Sequence, residues 1–237
     1  MASVKTALVA LHGDGGGAFQ FARLPPHFSA AIAFHAPSLP GFGGLPRDPR
    51  VASLRDLADL LAGFLIDLDP PRVLLGHGLG AAVVFELLSA HSQLVAGAIL
   101  HDPPGPRGDV VLPWRGRAAR RLLLATPQFA RERRARSLVG SALAAELGEE
   151  WLERLCRTDL LLETPRWLAT ARAGWKAVNA PALLLHGKKP LAAAWKGLLP
   201  AAESLQKPAW GKFPMMEKPE DYAPTVETAA LRFAAVW

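Results

Sequence analysis

The side chains able to do chemistry in this chain fall at the ends of apolar runs. His12, His77, His101 and His186 each close such a run, Asp14 and Asp102 follow two of them, and Lys212 stands in a glycine- and proline-containing stretch near the C-terminus. Imidazoles and carboxylates gathered on one rim would suit proton transfer or metal ligation. No H-x-x-x-H or H-x-H pair occurs, so the spacing fixes no ligand geometry, and neither a metal nor another cofactor is expected. The other feature is a turn, G-H-G-L-G at residues 76–80, set between VLL and AAVVFELL. It can present the N–H groups of a helix start to a carbonyl or carboxylate. At its centre Gly78 has no side chain with which to react.

These residues need elements to hold them. Apolar runs near residues 6–13, 30–37, 72–78, 95–102 and 181–187 each end in a turn signal and alternate with amphipathic stretches. Such a rhythm indicates βαβ units around a parallel sheet buried on both faces, with right-handed crossovers. Ser53 and Asp56 form a capping box ahead of a helix from about Leu54 to Leu68, which Pro70 and Pro71 stop. Residues 79–91 give the helix after the glycine turn. A weaker last strand is expected in 203–210 and a terminal helix from Tyr222 onwards. Between Pro103 and Val178 the strand rhythm gives way to arginine- and tryptophan-rich helical spacing. The division is therefore a core of 1–102 and 179–237 with a helical cap at 103–178.

Half of the 237 residues are hydrophobic, enough for one domain with a sizeable core. The single cysteine, Cys156, excludes an intramolecular disulfide. The apolar run at the start is too short for a signal peptide or membrane span and ends in glycines, so a cytoplasmic protein without membrane association is expected. The formal charge of +6 is compatible with an anionic partner but does not identify one. Nine arginines lie between Arg107 and Arg136, a surface for an acidic protein partner or anionic ligand, or simply a solvated face. No nucleic-acid motif accompanies them, and nucleic acid is not an expected partner. Trp114, Trp151, Trp167 and Trp175 are expected either to pack the cap or to line a pocket.

Four segments in order resemble the α/β-hydrolase superfamily: LHGDGG at 11–16, APSLPGFGG at 36–44, GHGLG at 76–80 and GKFPMMEKP at 211–219. The resemblance implies a doubly wound, mostly parallel sheet with a pocket at the carboxyl ends of its strands beneath the cap. It also implies a serine where Gly78 stands, a histidine where Lys212 stands, and an acid in the HGKKPL segment where Pro190 stands. Glycine offers no oxygen, a lysine side chain that ordinarily gives up its proton only at about pH 10.4 is a cation, and proline cannot orient an imidazole. The expectation is a non-hydrolytic member, a pseudoenzyme holding a small organic ligand or a partner at Asp14, Gly15, Phe42, His77, Gly78, Leu79, Asp102, Lys212 and Phe213. The N–H groups of Asp14 and Leu79 would form the family's oxyanion hole. Two alternatives stand beside it: a lyase or isomerase using Lys212, His77 or His101 as acid or base, and a docking module on the arginine-rich cap. Lys212 is expected to pair with Asp14 or Asp102, or to reach solvent.

Overall fold

The computed structural model describes residues 5–13, 15–105, 163–188 and 193–237. Six strands form one sheet: β1 (Thr6–Leu11), β2 (Ile32–His35), β3 (Arg72–His77), β4 (Gly97–His101), β5 (Ala182–His186) and β6 (Glu203–Gln206). Every neighbouring pair is parallel, in the order β2-β1-β3-β4-β5-β6. The order reverses direction at β1 and β3, so the crevice at the carboxyl ends of these strands is the topological switch point. All six runs expected as strands are strands. The last is shorter than its apolar signal, because Pro208 cannot donate to a ladder.

The helices lie on two layers. On one face α1 (Leu54–Ile66), α2 (Leu79–His91) and α3 (Thr164–Gly174) bury Leu57, Leu61, Val84, Phe85 and Trp167 against Val9, Leu11, Leu74 and Leu100. On the other, α6 (Pro219–Ala234) packs Tyr222, Val226, Ala230 and Phe233 against Leu8, Val73, Leu75 and Ile99. Successive strand residues point to opposite faces, and because helices cover both, the inner strands β1, β3, β4 and β5 are apolar over most of their length, whereas the edge strand β6 is polar and largely exposed. Two short helices, α4 (Ala193–Leu198) and α5 (Pro214–Glu217), complete the described elements.

Helix boundaries follow capping chemistry. Ser53 Oγ accepts the Asp56 N–H at 3.1 Å, while the Asp56 carboxylate reaches back to the Ala52 N–H at 2.8 Å, one residue before the expected reciprocal partner. The terminal helix begins at Pro219 rather than Tyr222, since a proline at the first helical position loses no hydrogen bond. No described helix is long and apolar enough to cross a membrane. Most of 103–178, including the arginine-rich stretch, Trp114, Trp151 and Cys156, lies outside the described residues, as do Asp14 and Pro190.

Glycine does two different jobs in these elements. A Cβ on Gly76 would stand 2.5 Å from the Ala81 Cα, whereas a Cβ on Gly63, on the exposed side of α1, meets nothing within 4 Å. Gly76→Ala is expected to destabilise the fold by about 2 kcal/mol or more through backbone overlap. Gly63→Ala should stabilise it by roughly 0.5–1 kcal/mol through helix propensity. Urea denaturation of the two variants checks both signs.

Candidate functional site

The site is built around the turn between β3 and α2. Gly78 sits there with φ 53° and ψ −114°, a combination sparsely open to L-residues, and α2 starts at the next residue. Its N–H donates to the His101 carbonyl at 3.0 Å, and the Gly80 N–H donates to the His12 carbonyl at 3.0 Å. The turn is thus bolted to the ends of β4 and β1 together. The flanking glycines permit this approach: a Cβ on Gly80 would overlap the Leu11 carbonyl, and one on Gly76 the start of α2. Position 78 differs, because a Cβ there would meet only the Gly13 Cα, at 3.6 Å, among the described residues. Space for a side chain exists; backbone conformation favours glycine.

Facing the turn is the glycine loop after β1. Gly15 has φ 74°, the Gly16 N–H closes the loop onto the Gly13 carbonyl at 3.0 Å, and the Gly13 N–H is held by Gln20 Oε1 at 3.0 Å. Leu79, first residue of α2, has no acceptor for its N–H among the described residues. Helix-start N–H groups of this kind favour negative charge or a carbonyl oxygen.

Three of the strand-end imidazoles, His12, His77 and His101, are buried and held neutral. Leu39 N–H donates to His12 Nε2 at 3.0 Å, leaving the proton on Nδ1, which donates to the Gly13 carbonyl at 2.9 Å. Burial pushes His12 down to about 4. His77 donates from Nε2 to the Lys212 carbonyl at 3.1 Å, and its Nδ1 is buried without a hydrogen-bond partner among the described residues. Burial, then the Lys212 charge, lower it to about 4. His101 Nδ1 meets the Tyr222 hydroxyl at 3.2 Å, and its Nε2 lies 3.7 Å from Asp102 Oδ2. Burial first, then His77 and His186, hold it well below the ordinary value, while burial and the Asp102 charge push Tyr222 well up. None of these rings is a cation near neutral pH. Among the described residues no group of three or more His, Cys, Asp or Glu could hold a metal ion.

The remaining predicted residues fall into two sets. Asp102 follows β4 with φ 42°, its side chain 33% exposed, and its Oδ1 accepts the Gly187 N–H at 3.2 Å, among other interactions. Lys212 is exposed, its ammonium 5.2 Å from the Phe213 ring centroid. Phe213 is buried against His77, with ring centroids 5.4 Å apart. Phe42 is fully buried and packs on His12 at 5.3 Å. His77, Gly78, Leu79, Asp102, Lys212 and Phe213 therefore cluster around the elbow, and Gly15 lies on the facing loop. Phe42 belongs to the core beneath it. Sequence reasoning missed Gln20 and Tyr222, which fasten the glycine loop and His101. It also missed the role of Glu217, whose carboxylate accepts the Phe213 N–H at 3.2 Å and packs against Gly211. The E of GKFPMMEKP was the available signal.

Residues 8–225 match the family model described as Alpha/beta hydrolase family, and the chain belongs to that family. Among solved structures it is similar to the epoxide hydrolase CorEH, at 20% identity and TM-score 0.73 over 99% of this chain and 93% of that one. It is also similar to a thermophilic esterase from Thermogutta terrifontis, at 20% identity and TM-score 0.71 over 98% and 92% of the two chains. The RedJ thioesterase of Streptomyces coelicolor aligns at 19% identity and TM-score 0.69 over 96% and 91%. Identities this low establish the fold alone. A comparison with curated proteins finds no match.

The imidazoles make stability depend on pH. In the unfolded chain they take up protons below about 6.5, while folded His12 and His77 do so only near 4. Their contribution is therefore complete above pH 6.5 and is lost between 6.5 and about 4 as acid rises. Unfolding by urea should show a loss of roughly 2 kcal/mol per buried imidazole from pH 7 to pH 5. His77→Gln should reduce the slope; an unchanged slope would contradict the assignment.

Proposed function

We propose that this member of the α/β-hydrolase family is non-hydrolytic and holds a small organic ligand at the elbow. The observation that carries the proposal is Gly78 at the turn, with φ 53° and no attacking oxygen. Two further substitutions agree with it. Lys212 occupies the position at which the family pattern has histidine, and Pro190 the position of the acid. The Lys212 side chain is exposed rather than buried in the crevice. His77, the neutral imidazole beside the turn, already spends one nitrogen on the Lys212 carbonyl.

In this reading the Leu79 N–H at the start of α2 keeps the role of an oxyanion-hole donor as part of a binding nest; Asp14, the other expected donor, lies outside the described residues. A carbonyl or carboxylate oxygen rests on it without being attacked, and the nearby Lys212 favours an anionic head group. Glycine at position 78 also removes the roughly 1–3 kcal/mol that a side chain would cost in that backbone conformation. A protein relieved of acyl transfer keeps the shape and gains stability.

One observation favours a second reading, an enzyme of lyase or isomerase type. Asp102 adopts positive φ without being glycine, and strain of that kind collects at functional sites. Its partly exposed carboxylate beside the elbow would act as the proton acceptor, a role better suited to it than to Lys212 or His77.

Purified protein incubated with p-nitrophenyl esters, an acyl thioester and an epoxide should release product at the rate of buffer alone. Native mass spectrometry of protein isolated from its own host should show a bound small molecule that Lys212→Ala weakens several-fold. Enzyme-like turnover of any of the three substrate types would contradict the proposal.

A further inference from the structure

A cavity of about 510 Å³ opens between the start of α1, the middle of α2 and the end of α3, apart from the elbow. Glu86 lies eight residues beyond Gly78 along α2, about 12 Å at the helical rise. Such a volume suits a small molecule. Trp167 and Trp175 line it, Thr170 lies on its exposed edge, and Arg55 and Lys176 stand at its rim.

The unusual group is Glu86, a carboxylate only 8% exposed on a helix that is apolar from Leu79 to Phe85. The Trp175 indole N–H donates to its Oε1 at 2.5 Å. Its other oxygen, Oε2, accepts no hydrogen bond among the described residues, and the nearest cation is the Arg55 guanidinium, at 3.8 Å. That guanidinium is half exposed and closer to Asp59, at 3.3 Å. A carboxylate so buried normally has a contact partner, because desolvation costs several kcal/mol per ion. Here one oxygen borders the cavity with only a long ion pair, to the half-exposed Arg55 guanidinium at 3.8 Å, among the described residues.

We propose that this cavity is a binding site for an organic ammonium, a protonated amine carrying a short apolar body. The N⁺–H group donates to Glu86 Oε2, the two tryptophans supply a cation–π environment, and the apolar body covers Ala171 and Val178. A carboxylic acid of the same shape places like charge beside Glu86 and is excluded. The site acts independently of the elbow, so it stands whether or not the elbow ligand exists.

Isothermal titration calorimetry of the full chain at pH 7.5 with hexylammonium, hexanoate and hexanol tests this. Hexylammonium should bind at least tenfold more tightly than either of the others. Glu86→Gln keeps an oxygen for the Trp175 N–H and should weaken amine binding at least tenfold. Thr170→Trp, on the exposed edge of the cavity, should block it without disturbing the core. Lys176→Glu should tighten it several-fold. Undetectable amine binding, a preference for hexanoate, or amine affinity unchanged in both Glu86→Gln and Thr170→Trp would overturn the assignment.

Discussion

The close approach of backbone to backbone at the β3–α2 turn is the constraint on which the rest of the site depends. Gly76 and Gly80 lack side chains, so the start of α2 can press against the Leu11 and His12 carbonyls, and the turn can bond to β1 and β4 at once. That contact sets where the Leu79 N–H points, where the carboxyl ends of the strands converge, and which side chains come within reach of one another. Add a methyl group at either glycine and the layers must separate. Between them, Gly78 is held in its conformation by neighbours that do not crowd it.

Burial sorts the polar groups around the turn into neutral and charged sets. Three strand-end histidines lie close by, His12, His77 and His101, each driven neutral by burial, and each has at least one nitrogen engaged with a backbone carbonyl, a backbone N–H or a tyrosine hydroxyl. Beside the crevice are the Leu79 N–H, which has no acceptor among the described residues, the exposed Lys212 side chain and the partly exposed Asp102 carboxylate. Under the proposed function these groups would polarise and orient a ligand, and Gly78 offers no side-chain atom to bond to it.

Much of the fold was legible because period and punctuation agree. Apolar runs ending in turn signals mark the first five strands, the sixth showing only a weaker pattern, and the Ser53–Asp56 pair marks the start of α1. The elbow was legible for the same reason, since G-x-G-x-G between an apolar run and a small-residue helix has few other structural solutions. What escaped were contacts with no local pattern. Gln20 reaches the Gly13 N–H across the loop, Tyr222 reaches His101 across 121 residues, and Glu86 looks like an ordinary polar position on α2 until Trp175 is seen to cover it. Asp102 at positive φ could not be read either, because aspartate occurs in every kind of turn.

The central claim is that the elbow of this α/β-hydrolase-family protein binds without forming a covalent bond. Intact-mass analysis after exposure to a fluorophosphonate probe tests it most directly, because the probe reports an activated oxygen or sulfur nucleophile regardless of natural substrate. An unchanged mass under conditions that label an active serine hydrolase completely is the result the account predicts. A stoichiometric adduct located beside the elbow would contradict it.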